Sequence, residues 1–198
     1  MAYNRPVFQS QEIRRAAELL QEGGLVAFPT ETVYGLGAVA TDEAAVRRIY
    51  QVKGRPLGHP LIVHSANREE ALDLVRELSA EARRLAELFW PGPLTLILPK
   101  TRRIPDLVTG GQDLLGIRVP AHPMAQALLY QVGLPLAAPS ANRFGRVSPT
   151  SAEHVRRDLG SRVDFILDGG RCRVGVESTI VAFPKGVVQI LRPGGVSR

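Results

Sequence analysis

The chain has 198 residues, of which 44% are hydrophobic and 22% charged, a balance typical of a folded domain and unlike that of a disordered segment. Its single cysteine, Cys172, excludes an intrachain disulfide and a cysteine-rich zinc site. The net charge of +6 favours anionic partners such as nucleotides, phosphates or RNA, without choosing among them.

The first half of the sequence alternates between helical and strand patterns. Ser10, Asp42 and Ser79 are typical N-cap residues, each standing before a helical pattern. The tryptophan, prolines and glycine of 90–93 break the helical pattern before the next strand. The predicted elements are helices at 11–21, 43–51, 68–78 and 80–89, and strands at 25–28, 61–64 and 94–98.

The second half begins with the same alternation and ends in strands. Pro123 suits the first turn of a helix, and Ser151 can cap another. The predicted elements are strands at 115–119, 134–138, 165–167, 179–183 and 187–191, helices at 123–131 and 152–159, and a short tail at 194–198. This order predicts an α/β (α+β) protein of three layers, with a twisted mixed sheet flanked by helices.

Residues 29–37, PTETVYGLG, are the richest polar stretch that follows a predicted strand. Strand ends are common places for ligand sites in α/β sheets. Thr30 and Thr32 would share one face if this segment were extended. A capped turn with no ligand explains the same residues equally well.

Lys53 and Arg55 form a basic pair in the segment KGRPLGHPL. Pro56 favours an extended conformation at Arg55, which would let both cations face one way and share a phosphate. A solvated basic loop is the alternative. The chain has neither a P-loop nor the glycine fingerprint of dinucleotide-binding folds.

Three further residues stand within or just after predicted strands. Ser140 and Asn142 could bind phosphate or ribose oxygens, although both residue types are also common in turns. Arg118 lies inside an apolar strand and needs a partner, which could be a structural carboxylate or an anionic ligand. The four histidines have no metal-binding spacing, so we predict no protein metal site, and Cys172 is interpreted as an incidental thiol.

Together these segments resemble the YrdC/TsaC family of L-threonylcarbamoyladenylate synthases over residues 23–195. The ordered set of segments is far more specific than any one of them. It comprises FPTETVYGL (28–36), KGRP (53–56), PLI (60–62), WPGPLT (90–95), RVP (118–120), PSAN (139–142), EST (177–179) and LRPG (191–194).

The resemblance implies a nucleotidyltransferase that converts ATP, L-threonine and bicarbonate into threonylcarbamoyl-AMP and pyrophosphate. This reaction begins the t6A37 modification of tRNA, which a partner transferase complex completes. The implied fold is a YrdC-like twisted mixed sheet flanked by helices, with a basic concave surface that could contact tRNA. Mg²⁺ would accompany ATP, held by phosphate and water.

The resemblance also implies roles for individual residues. The catalytic cations would be Lys53 and Arg55. The ATP site would comprise Lys53, Arg55, His59, Ser140, Asn142, Ser148 and Arg192, with His59 standing where relatives often carry asparagine. The threonine site would comprise Thr32, His64, Arg118, Ala138 and Ser178, with Arg118 pairing with the threonine carboxylate.

Further expectations concern the extent and place of the protein. We expect one domain over residues 1–198, without the extra C-terminal domain of some relatives. Residues 1–11 lack the apolar run of a signal peptide, and no apolar stretch is long enough for a membrane span, so a cytoplasmic location is predicted. The alternative function is a non-catalytic module of the same fold that binds tRNA or double-stranded RNA.

Overall fold

A computed structural model of the protein describes residues 10–196, so the two ends of the predicted domain lie outside the described residues. Its helices are α1 Gln11–Gln21, α2 Glu43–Lys53, α3 Arg68–Leu72, α4 Ala80–Phe89, α5 Asp106–Thr109, α6 Pro123–Val132 and α7 Ala152–Leu159. Its strands are β1 Val26–Phe28, β2 Gly35–Val39, β3 Ile62–His64, β4 Leu94–Pro99, β5 Leu114–Arg118, β6 Leu136–Ala137, β7 Phe165–Ile166, β8 Thr179–Ala182 and β9 Gln189–Arg192.

The strands form one mixed sheet in the order β7-β1-β2-β6-β3-β5-β4-β8-β9. Three neighbouring pairs are parallel, namely β1 with β7, β3 with β5, and β4 with β8. The other pairs are antiparallel. This pairing brings the end of β3, the end of β5, the start of β8 and the end of β9 to the same side of the sheet, where these strand ends lie next to one another.

Two hydrophobic clusters cover opposite faces of the sheet. Strand β1 shows the alternation, because Val26 and Phe28 belong to one cluster and Ala27 to the other. Helices α1 and α6 pack on the first face. Helices α2, α4 and α7 contribute to the second. The predicted α/β architecture of three layers with a mixed sheet is therefore confirmed.

Helix starts follow the predicted caps. The side-chain oxygens of Ser10, Asp42, Ser79 and Ser151 each accept a hydrogen bond from a backbone N–H in the first turn of α1, α2, α4 and α7, respectively. These bonds satisfy donors that have no partner inside the helix. Within residues 10–196, no helix combines the length and the apolar character that crossing a membrane requires.

Two of these elements were not predicted, and two predictions were wrong. Strand β2 was not predicted, because its sequence GLGAV has two glycines and is buried on both faces, so it shows no polar alternation. The helix predicted at 68–78 ends at Leu72, and the short α5 was missed. The described part of the predicted tail is docked, since Val196 exchanges hydrogen bonds with the Thr179 hydroxyl.

The expected extended segment around Lys53 is also wrong. Lys53 is the last residue of α2, and Gly54 ends the helix in a left-handed conformation with a φ of 61°. Lys53 is buried whereas Arg55 is partly exposed, so the two do not form the extended basic pair that was expected. The basic pair comes from a helix terminus and the loop that follows it.

Candidate active site

A small polar cavity of about 110 Å³ opens beside the strand ends where β3, β5 and β9 finish and β8 begins. Strand register places His64 beside Arg118, as the final pair of the parallel strands β3 and β5. The lining residues are Thr30, Thr32, Val33, Gly35, Arg55, Pro60, Ile62, His64, Arg118, Ala138, Pro139, Ser140, Glu177, Ser178 and Arg192.

The turn between β1 and β2 carries Thr32 into this cavity. The expected extended segment at 30–32 is a bend, in which the Thr30 hydroxyl accepts from the backbone N–H of Thr32 and of Val33. The same hydroxyl donates to the Val33 carbonyl at 2.7 Å, so the Thr32 hydroxyl must donate its own proton to Thr30 at 2.8 Å. Thr32 therefore offers a ligand a hydrogen-bond acceptor.

Arg118 is 4% exposed and is bound on three sides. Its Nη2 donates to Glu31 Oε1 at 2.6 Å, its Nη1 to Thr32 Oγ1 at 2.9 Å, and its Nε to the Gly92 carbonyl at 3.0 Å. Burial lowers the pKa of Arg118, and Glu31 counteracts this effect. Of the two partners left open by the sequence, the structural carboxylate is thus present, while the guanidinium still borders the cavity.

His64 is a buried, uncharged histidine in the cavity wall. Burial and the neighbouring cation of Arg118 lower its pKa to about 3. Its ring meets Phe28 edge to face, and its Nδ1 has no hydrogen-bond partner among the residues that the structure describes. A buried nitrogen of this kind is suited to a polar ligand atom. We name Thr32, His64 and Arg118 the buried half of the cavity.

The opposite side, which we name the open half, consists of Arg55, Glu177 and Arg192, all of them partly exposed. Arg55 donates to the carbonyls of His59 and Pro60, and its guanidinium lies 5.6 Å from the centroid of the Phe144 ring. These contacts hold Arg55 through neutral groups. Its positive charge is therefore not neutralised by an ion pair in the described part of the chain.

Glu177 is already bound to two of the residues that were predicted to contact ATP. Its carboxylate forms an ion pair with Arg192 and accepts from the Ser148 hydroxyl at 2.7 Å. Arg192 also donates to the Ser178 carbonyl. The close approach of the chain here depends on Gly194, where a Cβ atom would stand 2.3 Å from the Glu177 carbonyl. An anionic ligand would compete with Glu177 for Arg192.

Lys53 lies behind the cavity wall and does not line it. The residue is 3% exposed, and its ammonium group donates to the backbone carbonyls of Ser140 and Asn142. Burial, followed by the Arg55 charge, lowers the pKa of Lys53 to about 7. Lys53 therefore ties the 140–142 segment to the end of α2.

The structure brings most of the predicted site residues together. All five predicted threonine contacts line the cavity, namely Thr32, His64, Arg118, Ala138 and Ser178, as do Arg55, Ser140 and Arg192. Four predicted ATP residues do not, namely Lys53, His59, Asn142 and Ser148. Asn142 and Ser148 line a neighbouring cavity of about 470 Å³, and His59 is exposed with its ring against Phe144.

Sequence reasoning gave no role to Glu31 or Glu177. Both lie in the segments that carry the family resemblance, and both bind predicted site arginines in the structure. The signal available in the sequence was a carboxylate placed among apolar and hydroxyl residues, because such a group needs a cationic partner when buried. Which arginine it would meet depends on contacts more than a dozen residues apart.

The fold and cavity define an α/β domain with a compact polar site containing two arginines from distant strands. The chain belongs to the Sua5/YciO/YrdC family, whose sequence model, described as "Telomere recombination", matches residues 18–194.

Relatives of this family are similar over almost the entire chain. A Pyrococcus abyssi protein named threonylcarbamoyl-AMP synthase is 50% identical over 192 residues, which cover 97% of this chain and 56% of the relative. The Bacillus subtilis protein of the same name is 50% identical over 188 residues, covering 94% and 54%. The crystal structure of P. abyssi Sua5 complexed with L-threonine has a TM-score of 0.90 and 52% identity, covering 92% and 54%. The chain thus spans about half the length of these relatives.

Proposed function

We propose that this protein is a threonylcarbamoyl-AMP synthase that uses ATP, L-threonine and bicarbonate and releases pyrophosphate. The observation that carries the proposal is the convergence of Thr32, His64 and Arg118 in one small cavity bordered by the cations Arg55 and Arg192. Relatives at 50% identity bear this enzyme's name, and one related structure holds L-threonine.

The buried half suits an amino acid. Arg118 offers hydrogen-bond donors to the α-carboxylate. The free acceptor of Thr32 suits the amine, and Nδ1 of His64 suits the side-chain hydroxyl of threonine. The backbone of Ala138 and the side chain of Ser178 complete the wall. A cavity of about 110 Å³ accommodates this small substrate better than a complete nucleotide.

The open half suits the phosphates of ATP. Arg55 and Arg192 line the cavity, and so does Ser140, which begins the segment held by Lys53. The neighbouring cavity beside Asn142 and Ser148 offers room for the remainder of the nucleotide. Lys53 and His59 support this half of the cavity without lining it. Lys53 orders the 140–142 segment, and His59 packs against Phe144, whose ring also contacts Arg55.

The chemistry requires positioning and charge stabilisation. The threonine amine attacks the carbon of bicarbonate, and loss of water leaves a carbamate. A carbamate oxygen then attacks the α-phosphorus of ATP, and the bond to pyrophosphate breaks. Arg55 and Arg192 stabilise the negative charge that accumulates on the departing phosphates. A protein nucleophile has no part in this scheme, and the pKa of Cys172, raised to about 11 by burial, suits its bystander position.

Mg²⁺ is expected to arrive with ATP. Within residues 10–196, no group of three histidine, cysteine or acidic side chains is arranged to hold a metal ion. The carboxylate of Glu177 at the cavity is already bound to Arg192 and Ser148. These residues fit an ion carried by phosphate and water rather than one enclosed by protein ligands. When bound, the ion would neutralise phosphate charge.

The biological setting follows from the proposed reaction. We expect the product to pass to a transferase complex that modifies tRNA, we expect this protein, with its net charge of +6, to contact tRNA, and we expect the reaction to occur in the cytoplasm. We also expect residues 1–198 to form one domain. The single sheet and the two clusters that cover it, all within residues 10–196, support this expectation.

Pyrophosphate release from ATP, measured with and without L-threonine and bicarbonate, tests the proposal. Release should require both substrates, and Arg55→Met should reduce it about a hundredfold, the scale expected for losing one charge-stabilising donor. Arg84→Met, on the exposed surface of α4, is the matched control and should retain full activity. RNA binding without any release dependent on threonine would instead favour the alternative of a non-catalytic RNA module.

A further inference from the structure

Glu31 connects the side chain of Arg118 to the backbone that follows β5. Its side chain is 6% exposed, and both carboxylate oxygens are bound: Oε1 accepts from Arg118 Nη2 at 2.6 Å and Oε2 from the backbone N–H of Ala121 at 3.1 Å. The Ala121 bond fixes the carboxylate on the segment that follows β5. Glu31 therefore holds the strand end of Arg118 and the guanidinium of Arg118 at the same time.

The backbone of the same turn secures the loop on the far side of the cavity. The Glu31 carbonyl accepts from Val174 N at 2.8 Å, and the Thr32 carbonyl accepts from Gly175 N at 3.1 Å. This loop leads directly into Glu177 and Ser178, which line the cavity. A shift of Glu31 would thus move both the arginine and the loop that faces it.

The hydrogen bonds of Arg118 within the described residues leave some of its N–H groups for a ligand. A guanidinium carries five N–H groups. Three of them are used by Gly92, Thr32 and Glu31. Among residues 10–196, one N–H on each terminal nitrogen is left, which is the number needed for a bidentate contact with a carboxylate. Rotation of the guanidinium would break this arrangement, and the ion pair with Glu31 opposes rotation.

Glu31 itself does not line the cavity, so its charge stabilises Arg118 without facing a substrate. It differs in this respect from Glu177, which does line the cavity. We propose that Glu31 is a positioning residue that sets the specificity of the site for an α-carboxylate, by holding Arg118 with two N–H groups towards the substrate. The inference rests on the proposed function, since it assumes an amino acid in the buried half.

The test compares binding of L-threonine, L-threoninamide and ATP by isothermal titration calorimetry. Wild-type protein should bind L-threonine at least tenfold more tightly than L-threoninamide. Glu31→Gln keeps the size of the side chain but loses its charge, and its amide can no longer accept from both Arg118 and Ala121. It should reduce the preference for the carboxylate to less than threefold, while ATP affinity changes by less than twofold.

Two further variants separate positioning from a general loss of structure. Glu31→Asp retains the charge but is too short to bind Arg118 and Ala121 together, so its preference should lie between those of wild type and Glu31→Gln. Glu153→Gln removes an exposed ion pair with Arg157 on α7 and should behave as wild type.

The outcomes distinguish this inference from the proposed function. A Glu31→Gln variant that weakens all three ligands equally, or that keeps the wild-type preference, would overturn the positioning role and leave the synthase proposal intact. Wild-type protein that shows no preference for L-threonine over its amide would overturn the proposed function, and the role of Glu31 with it.

Discussion

The two halves of the cavity are constructed differently. In the buried half, Arg118 is 4% exposed and is fixed by hydrogen bonds to Glu31, Thr32 and a backbone carbonyl. In the open half, the side chains of Arg192 and Glu177 are 35% and 36% exposed, and they pair with each other. A rigid, desolvated half suits selection of a small substrate, whereas a solvated half can exchange its internal ion pair for phosphate.

The largest effect is expected in the buried half, for Arg118→Ala. This change leaves the Glu31 carboxylate buried without its cation, which costs about 3–5 kcal/mol of unfolding free energy. Urea denaturation measures the loss, and binding of L-threonine should fall below detection. The double variant Arg118→Met with Glu31→Gln removes both charges and should be less destabilised than Arg118→Ala. A double variant at least as unstable as the single one would contradict this account.

The next effect concerns Lys53, which supports the open half from behind. Lys53→Met leaves two buried carbonyls without their donor, and we expect a loss of about 2–3 kcal/mol in unfolding free energy, with an ATP affinity at least tenfold weaker. Urea denaturation and calorimetric titration with ATP provide the two measurements.

Lys100→Met is the matched control for Lys53. Lys100 is also a buried lysine, which donates to the Ile104 carbonyl and pairs with Asp106 at the end of β4 away from the cavity. It should lose stability while retaining its affinity for ATP. Equal loss of ATP affinity in both variants would show that Lys53 has no specific role in ordering the 140–142 segment.

The third prediction concerns His64 and acid. Its pKa is about 3 in the folded protein and near the ordinary value of 6.5 in the unfolded chain. The unfolded chain therefore binds the additional proton between these values, and stability must fall as the pH decreases through this range. At pH 5 this loss is on the order of 2 kcal/mol relative to pH 7.

Urea denaturation at both pH values measures the loss, and His64→Asn provides the comparison. The variant should lose less stability than wild type on moving from pH 7 to pH 5, because it has no group at this position to protonate. The same loss in both proteins would mean that other groups cause the acid sensitivity.

The smallest effect is expected for Glu177→Gln in the open half. The ion pair with Arg192 is partly solvated, so removing it should change the unfolding free energy by less than about 1 kcal/mol. ATP should bind about threefold more tightly, because its phosphates no longer displace a carboxylate from Arg192 and Ser148. Calorimetric titration checks this expectation, and weaker ATP binding would show that Glu177 helps to hold the nucleotide.

Local patterns in the sequence were sufficient for most of the fold. The caps at Ser10, Asp42, Ser79 and Ser151 were predictable because each depends on contacts within one turn. Strand β2 was not, because a glycine-rich segment forms a strand only when neighbours on both sides supply its hydrogen bonds. The predicted conformation of Lys53 was wrong because α2 continues to Lys53, where Gly54 ends it.

The sequence by itself determined the mixed α/β class and the family, and through the family resemblance it indicated eight residues that line the cavity. The tertiary structure alone decided what those residues can offer a ligand. It placed Lys53 behind the cavity wall, paired Arg118 with Glu31 and Arg192 with Glu177, and left His64 uncharged. The physical reason is that charge and hydrogen bonding at a site depend on burial and on partners distant in the chain, and neither property is encoded in local residue patterns.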